Sequence, residues 1–385
     1  MPGLQDYLYW RGDVPFSLSP FNENDILLFA RIAYVPFEDI VDYDDLIPLP
    51  IASSIRLELV DDTDKFSQES DRQMLSLLRD ATRYSDVRVS RYVDSRDTEA
   101  QKQFAAITFD VGTDLRVIAY RGTDATMTGW KEDFNMMFMK EVPAQYEACA
   151  YANGAYEEGK RFILCGHSKG GNLAMFSAAF CEPALQNAIE SVYNFDGPGF
   201  LKETLQSQGY QKVKGRFHTY APQGSVIGML LEHEEEYTIV QSTGKGIRGQ
   251  HNINTWELTR DGYVTLENNN DQSRFWDQTF NEWLVQLPPD QRETFVETMF
   301  QALQTVERED MDALPGKYRS AQAIIRALRK MDPEMRKPVL STFGAFAKSV
   351  QSSALSLFSE RIGSTTQVVK PGDLPPDKSK ELEYK

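Results

Sequence analysis

The chain has 385 residues, 41% of them apolar, enough to bury a large core in one big domain or two. Its net charge of −16 speaks against a nucleic-acid partner and against electrostatic attachment to anionic membranes. No apolar run reaches the roughly 18 residues needed to span a bilayer, and no basic segment followed by an apolar stretch marks a secretory leader. Cys149, Cys165 and Cys181 are an odd number without metal-like spacing, so a reducing, cytoplasmic location is expected, with no metal and no cofactor.

Residues 1–20 read as an irregular, aromatic-rich segment. Asn24 or Asp25 then caps an expected helix through Ile32, which Tyr34-Val-Pro ends. The acidic, proline-bearing stretch 38–50 reads as a loop, and a second helix is expected over 71–82. Strand-like alternation follows over 87–93, 104–109 and 115–120, with turns between, so the sheet starts as antiparallel hairpins.

After Tyr120 the pattern alternates. Helix is expected near 144–156, strand over 161–165, helix over 170–180, strand over 191–195, helix over 201–208 and strand over 216–220. That is the pattern of a parallel sheet with right-handed crossovers. From about residue 270 apolar stripes recur at helical spacing, Phe275, Trp276, Phe280, Trp283 and Leu284 first. The expected division is an α/β domain over 1–270, a helical appendage over 271–358 and a disordered tail over 359–385.

Chemistry concentrates in Phe162-Ile-Leu-Cys-Gly-His-Ser-Lys-Gly-Gly-Asn-Leu-Ala174. A buried strand, a glycine-flanked serine and a helix make a nucleophile elbow, with Ser168 at the apex and the next amide at a helix N-terminus. The alternative is a glycine-rich connection with an incidental serine. A serine nucleophile needs a base, and four histidines are available. His167 should point away from the active face, His218 lies inside a strand, and His233 runs into Glu234-Glu235-Glu236 like a solvated helix end. His251, after the glycine-rich Gly244–Gln250 loop, stands where the order Ser…Asp…His requires the base. The acid should close a strand between them, and Asp196 in Asn-Phe-Asp-Gly-Pro-Gly does so, unless it only shapes the turn. A second oxyanion amide is expected from the loop Arg121-Gly122-Thr123.

Tyr-Arg-Gly-Thr-Asp followed by Trp130 and Asp133, with Gly-His-Ser-Lys-Gly-Gly-Asn-Leu-Ala downstream, resembles the fungal-type (class 3) lipases over about residues 20–265. The likeness is greatest to an uncharacterised bacterial lipase-like branch. The resemblance implies Ser168 as nucleophile, the amides of Thr123 and Lys169 as oxyanion hole, and a short lid over 125–133 bearing Trp130. Met127 within it and Met136, Met137 and Met139 just after it would accept acyl chains, unless the stretch is a helix packing its apolar side on the core. One departure stands out: the resembled family carries its acid after the next strand, where this chain has Ala221-Pro-Gln-Gly-Ser225. Asp196 instead matches the earlier acid position of pancreatic-type lipases.

These signals together predict an α/β-hydrolase fold with antiparallel first strands, and a serine hydrolase acting on acyl esters or lipid-like small molecules through Ser168, His251 and Asp196. A thioesterase, an acyltransferase or a peptidase would use the same parts. A non-catalytic interaction protein would keep the fold without the chemistry.

Overall fold

The computed structural model describes residues 2–59, 69–97, 99, 102–123, 136, 139, 141–225 and 227–267. The expected helical appendage over 271–358, the tail over 359–385 and the lid with Met127 and Trp130 lie outside the described residues.

Among the described residues one nine-stranded sheet runs in chain order. Its first four strands are antiparallel: β1 (Ile47–Pro48), β2 (Val87–Asp97), β3 (Lys102–Val111) and β4 (Leu115–Tyr120). From β4 the pairing turns parallel through β5 (Arg161–His167), β6 (Ile189–Phe195), β7 (Phe217–Pro222) and β8 (Tyr237–Val240), and β9 (Thr265–Leu266) closes antiparallel. With helices on both faces, this is the α/β-hydrolase fold.

The alternation along each strand builds two cores. Ile107, Phe109, Val117, Ala119 and Cys165 face helices α1 (Leu4–Arg11), α2 (Glu23–Ile32) and α4 (Glu69–Arg79). Ile118, Tyr120, Phe162 and Leu164 face α5 (Pro143–Gly154) and α6 (Lys169–Phe180). Each sheet face sheds water on a different helical layer, the burial pattern a parallel sheet requires.

The N-terminal segment contains the helix α1, where an irregular segment is expected from its sequence. Asn22, not Asn24, caps α2: its side chain accepts from the Asn24 amide at 2.9 Å, and Asp25 reaches back to the Asn22 amide at 2.9 Å. Asp25 also takes a two-pronged bond from Arg83, 2.8 and 2.6 Å, and the hydroxyls of Tyr7 and Tyr84 at 3.0 and 2.7 Å. The remaining guanidinium donors reach the carbonyls of Val14, Ser19 and Pro20. Both charged side chains are fully buried, and a buried pair holds only when its donors are satisfied in this way.

Other elements differ from expectation at their ends. Short pieces lie beyond the expected elements: β1 inside the supposed 38–50 loop, α3 (Leu49–Glu58) beginning at its end, α7 (Pro183–Ala188), β8 and β9. The helix expected over 201–208 is two pieces, α8 (Lys202–Leu205) and α9 (Gln208–Val213), because Gln206 and Ser207 divide them and the Ser207 hydroxyl caps the second. The supposed turn after Val93 is strand through Asp97, since the neighbouring β3 edge continues to pair with it.

Candidate active site

The elbow follows from the absence of side chains at two positions. A Cβ on Gly166 would collide with the Gly170 carbonyl group, and a Cβ on Gly170 with the Tyr120 carbonyl group of the neighbouring strand. With those atoms missing, β5 turns into α6 within one residue. Ser168 occupies that residue with φ 59° and ψ −134°, a left-handed backbone conformation costly for a side-chain-bearing residue. Its amide donates to the Phe195 carbonyl at 2.9 Å, and its own carbonyl accepts from Gly171 at 2.9 Å. The strain is thus held from both ends, and Ser168 is half-buried at the C-terminal edge of the sheet.

The loop after β4 arrives against this elbow. An added Cβ on Gly122 would stand 2.6 Å from the His167 carbonyl oxygen and 2.9 Å from Ser168 Cβ, so only glycine lets the two backbones meet. Arg121 anchors that loop by a two-pronged bond to Asp94, 2.7 and 2.8 Å. Thr123 follows directly. Lys169 begins α6, where the first amide has no intrahelical partner to serve. The Lys169 side chain turns inward: it is 1% exposed, and its Nζ donates to the Gln103 carbonyl at 2.9 Å.

Asp196 leaves β6 with φ 54°, its amide still donating to Tyr220 at 2.8 Å, and is fully buried. The Gly197 that follows lies against the Ser168 carbonyl, where a Cβ would clash. Asn194 holds the turn by accepting from the Gly197 amide at 2.9 Å. Asp196 Oδ2 is 2.6 Å from His251 Nδ1, while Oδ1 accepts from the Ser225 hydroxyl and from the Gly228 amide at 3.2 Å. A carboxylate only accepts when ionised, so the contact assigns the proton to His251 Nδ1 and leaves Nε2 as the basic nitrogen.

His251 ends a short helix, α10 (Gly246–His251), where the glycine-rich sequence reads as a mobile loop. Gly244 and Gly249 pack backbone to backbone, which lets the segment close on itself. Gln250 and Trp256 fix it: Gln250 Nε2 reaches the Gly244 carbonyl at 2.5 Å, and the buried Trp256 ring nitrogen donates to the Gln250 carbonyl at 3.1 Å. The imidazole keeps 22% of its surface exposed. No hydrogen bond joins it to the Ser168 hydroxyl among the described residues. Such bonds commonly tighten only when substrate is bound.

Three residues of this site escape a reading of motifs. His167 does not point away into packing. Its ring lies 4.5 Å from the His251 ring, with Nε2 2.8 Å from the His251 carbonyl and Nδ1 2.9 Å from the Tyr34 hydroxyl. Burial, and then the neighbouring His251, hold the His167 imidazole well below the ordinary histidine range. Tyr34 has no sequence signal beyond ending a helix. Ser225 does have one, because it stands where the resembled lipases keep their acid. His233 is also misjudged by sequence: its side chain is 7% exposed and bonded to Glu235 at 2.9 Å, not solvated.

Burial pushes the Cys149 and Cys181 thiols up to about 12, and Cys165 higher still. Among the described residues no group of three His, Cys, Asp or Glu side chains is placed to hold a metal ion. No helix among them is long and apolar enough to cross a membrane. Met136 is buried and lines a shallow cleft with Met139, Asn172, Phe200 and Leu231.

The model of the Mbeg1-like family matches residues 78–301, more than half of the chain and the whole stretch from the Arg121 loop to His251. The chain belongs to the Mbeg1-like family. The M37 lipase, known from a crystal structure, is similar at 14% identity and a TM-score of 0.34, covering 55% of this chain and 70% of that one. A likeness at that level says nothing about chemistry here. No protein with a curated description matches the chain. The Mbeg1-like match leaves out the first 77 residues, including Tyr34, so the site also draws on a part of the chain that the family model does not reach.

Proposed function

We propose that this Mbeg1-like chain is a serine ester hydrolase of the lipase and esterase kind. The observation that carries the proposal is the 2.6 Å contact between His251 Nδ1 and the fully buried Asp196, beside a serine held at positive φ on a strand-to-helix elbow. Each of the three residues alone has an ordinary structural explanation. Together they are what acyl transfer needs: a nucleophile, a base with a free nitrogen, and an acid that fixes the base's tautomer.

In this mechanism Ser168 Oγ attacks the acyl carbonyl while His251 Nε2 takes the hydroxyl proton. The oxygen that becomes negative is received by the amides of Thr123 and Lys169, the latter at the positive end of α6. His251 then gives the proton to the leaving alcohol, and water repeats the sequence on the acyl-enzyme. Asp196 stabilises the transient imidazolium by charge, without taking its proton. Acyl esters or lipid-like small molecules are the substrate class, and Trp130, Met127 and Met136 are the residues expected to meet the acyl chain.

A fluorophosphonate probe tests this directly. It is expected to label the native chain at Ser168 alone, and Ser168→Ala is expected to abolish both labelling and hydrolysis of a short nitrophenyl ester while the protein stays folded. Ester hydrolysis that survives in that variant, or labelling at another serine, would remove the assignment.

A further inference from the structure

The Tyr34 hydroxyl sits where three parts of the candidate site meet. It is 2.9 Å from His167 Nδ1 and 3.4 Å from the His167 carbonyl oxygen. It also fills the space beside Gly122, where any Cβ would strike it. His167 in turn reaches the His251 carbonyl with Nε2 at 2.8 Å. One phenol and one imidazole therefore touch the oxyanion loop, the elbow and the backbone of the base.

The protons on this chain follow from the partners. A backbone carbonyl can only accept, so His167 Nε2 carries the hydrogen. Nδ1 is then an acceptor, and Tyr34 donates to it. Both ring nitrogens are used, and the ring stays neutral because burial disfavours its charge, as do His251 and Arg31 nearby. Neutrality matters beside His251, because two imidazolium rings with centroids 4.5 Å apart would oppose each other. Tyr34 is itself held at the end of α2, with the Arg31 guanidinium 5.4 Å from its ring centroid and Arg31 paired to the buried Asp71.

We infer that Tyr34 and His167 are a positioning pair that sets the His251 backbone against the Ser168 elbow and the Gly122 loop. The inference rests on the serine-hydrolase proposal for its catalytic meaning. Asp196 orients the His251 ring from the Nδ1 side, Trp256 holds the preceding carbonyl at Gln250, and His167 holds the His251 carbonyl itself. Ring and backbone are thus fixed by separate elements. A proton transfer over one hydrogen-bond length needs that placement, since small displacements of a reacting group cost large factors in rate.

The experiment is nitrogen NMR of histidine-labelled full-length protein, which contains four histidines, combined with ester kinetics. In the wild type His167 is expected as the Nε2–H tautomer, without titration between about pH 5 and 8. In Tyr34→Phe the His167 signals are expected to show mixed tautomers and the His251 signals to move. Turnover of a short nitrophenyl ester should fall about tenfold, with KM changed less than about twofold, as for a lost buried hydrogen bond felt in the transition state. His167→Gln keeps a terminal amide for the His251 carbonyl and should retain about tenfold more turnover than His167→Leu. His251 signals unmoved by Tyr34→Phe, or equal rates in the Gln and Leu variants, overturn the inference. If the wild type shows neither labelling nor hydrolysis, the functional proposal fails by itself, while the His251 signals still decide whether the pair positions that residue.

Discussion

The two sides of the candidate site are built in opposite ways. The nucleophile side comes from one continuous stretch, β5 to α6, and its geometry depends on atoms that are absent, the Cβ groups of Gly166 and Gly170. The acid–base side gathers Asp196, Ser225, Gly228 and His251 from three separate segments after β6, after β7 and at the end of α10, and depends on polar atoms that are present. The first should therefore be sensitive to added volume and the second to single lost hydrogen-bonding groups. The contrast also says where each failure will appear: in folding for the elbow, in turnover for the acid–base side.

After Ser168→Ala, the largest effect is expected from Asp196→Asn. Oδ1 already accepts from Ser225 and Gly228, so the new amide must place its oxygen there and turn its NH2 toward His251. A donor facing Nδ1 forces the proton to Nε2, and the base then has no lone pair for the Ser168 hydroxyl. Turnover should fall at least about a hundredfold and up to about 10⁴-fold, roughly 3–5 kcal/mol of barrier, with an unchanged melting profile. A near wild-type rate would show that Asp196 serves only the turn.

Next comes Gly170→Ala, which attacks the elbow. The added methyl would meet the Tyr120 carbonyl group and lie 2.9 Å from the Arg121 carbonyl carbon, and backbone in the middle of a sheet cannot step aside. A loss of about 3 kcal/mol is expected, read as a fall in melting temperature of about 6–12 °C. Gly215→Ala supplies the control, because nothing lies within 4 Å of its added Cβ and its φ is not in the left-handed region. That change should stay within about 0.5 kcal/mol. Equal losses at the two sites would mean that the elbow glycines are not required by contact.

The same contrast explains what could be foreseen from sequence. The elbow was legible because its causes are contiguous: an apolar run, glycines flanking Ser168, helix formers after it. The strands Leu115–Tyr120 and Arg161–His167 were legible for the same reason, being nearly continuous apolar runs buried on both faces. Asp196 and His251 could be nominated from chain order, but their contact depends on how β6, β7 and α10 converge. Tyr34 and His167 act through atoms on other elements, and no local pattern marks such roles, while Ser225 is marked only by standing at the acid position of the resembled family. The β1–α3 region was misread because Pro48 and Pro50 suggest a loop, although proline is well accepted in a first helical turn. Its sheet partner β2, which recruits Ile47 and Pro48, lies some 40 residues away.

The smallest effect, and the sharpest test of the acid–base side, is expected from Ser225→Ala. Ser225 is 1% exposed, and its hydroxyl donates to Asp196 Oδ1 while accepting from the Gly228 amide at 3.1 Å. Without it Asp196 keeps the Gly228 amide and His251, so the carboxylate loosens without being stranded. Turnover should fall about tenfold, near 1.4 kcal/mol, the ordinary worth of a hydrogen bond to a charged group. The mechanism is checked by repeating the change in the Asp196→Asn background, as a double-mutant cycle. If Ser225 works through the carboxylate, its loss should cost less than about twofold once that carboxylate is gone, because no ionised acid remains to be oriented. A full tenfold loss in both backgrounds would separate Ser225 from Asp196. It would then place the effect in the packing of the β7 exit.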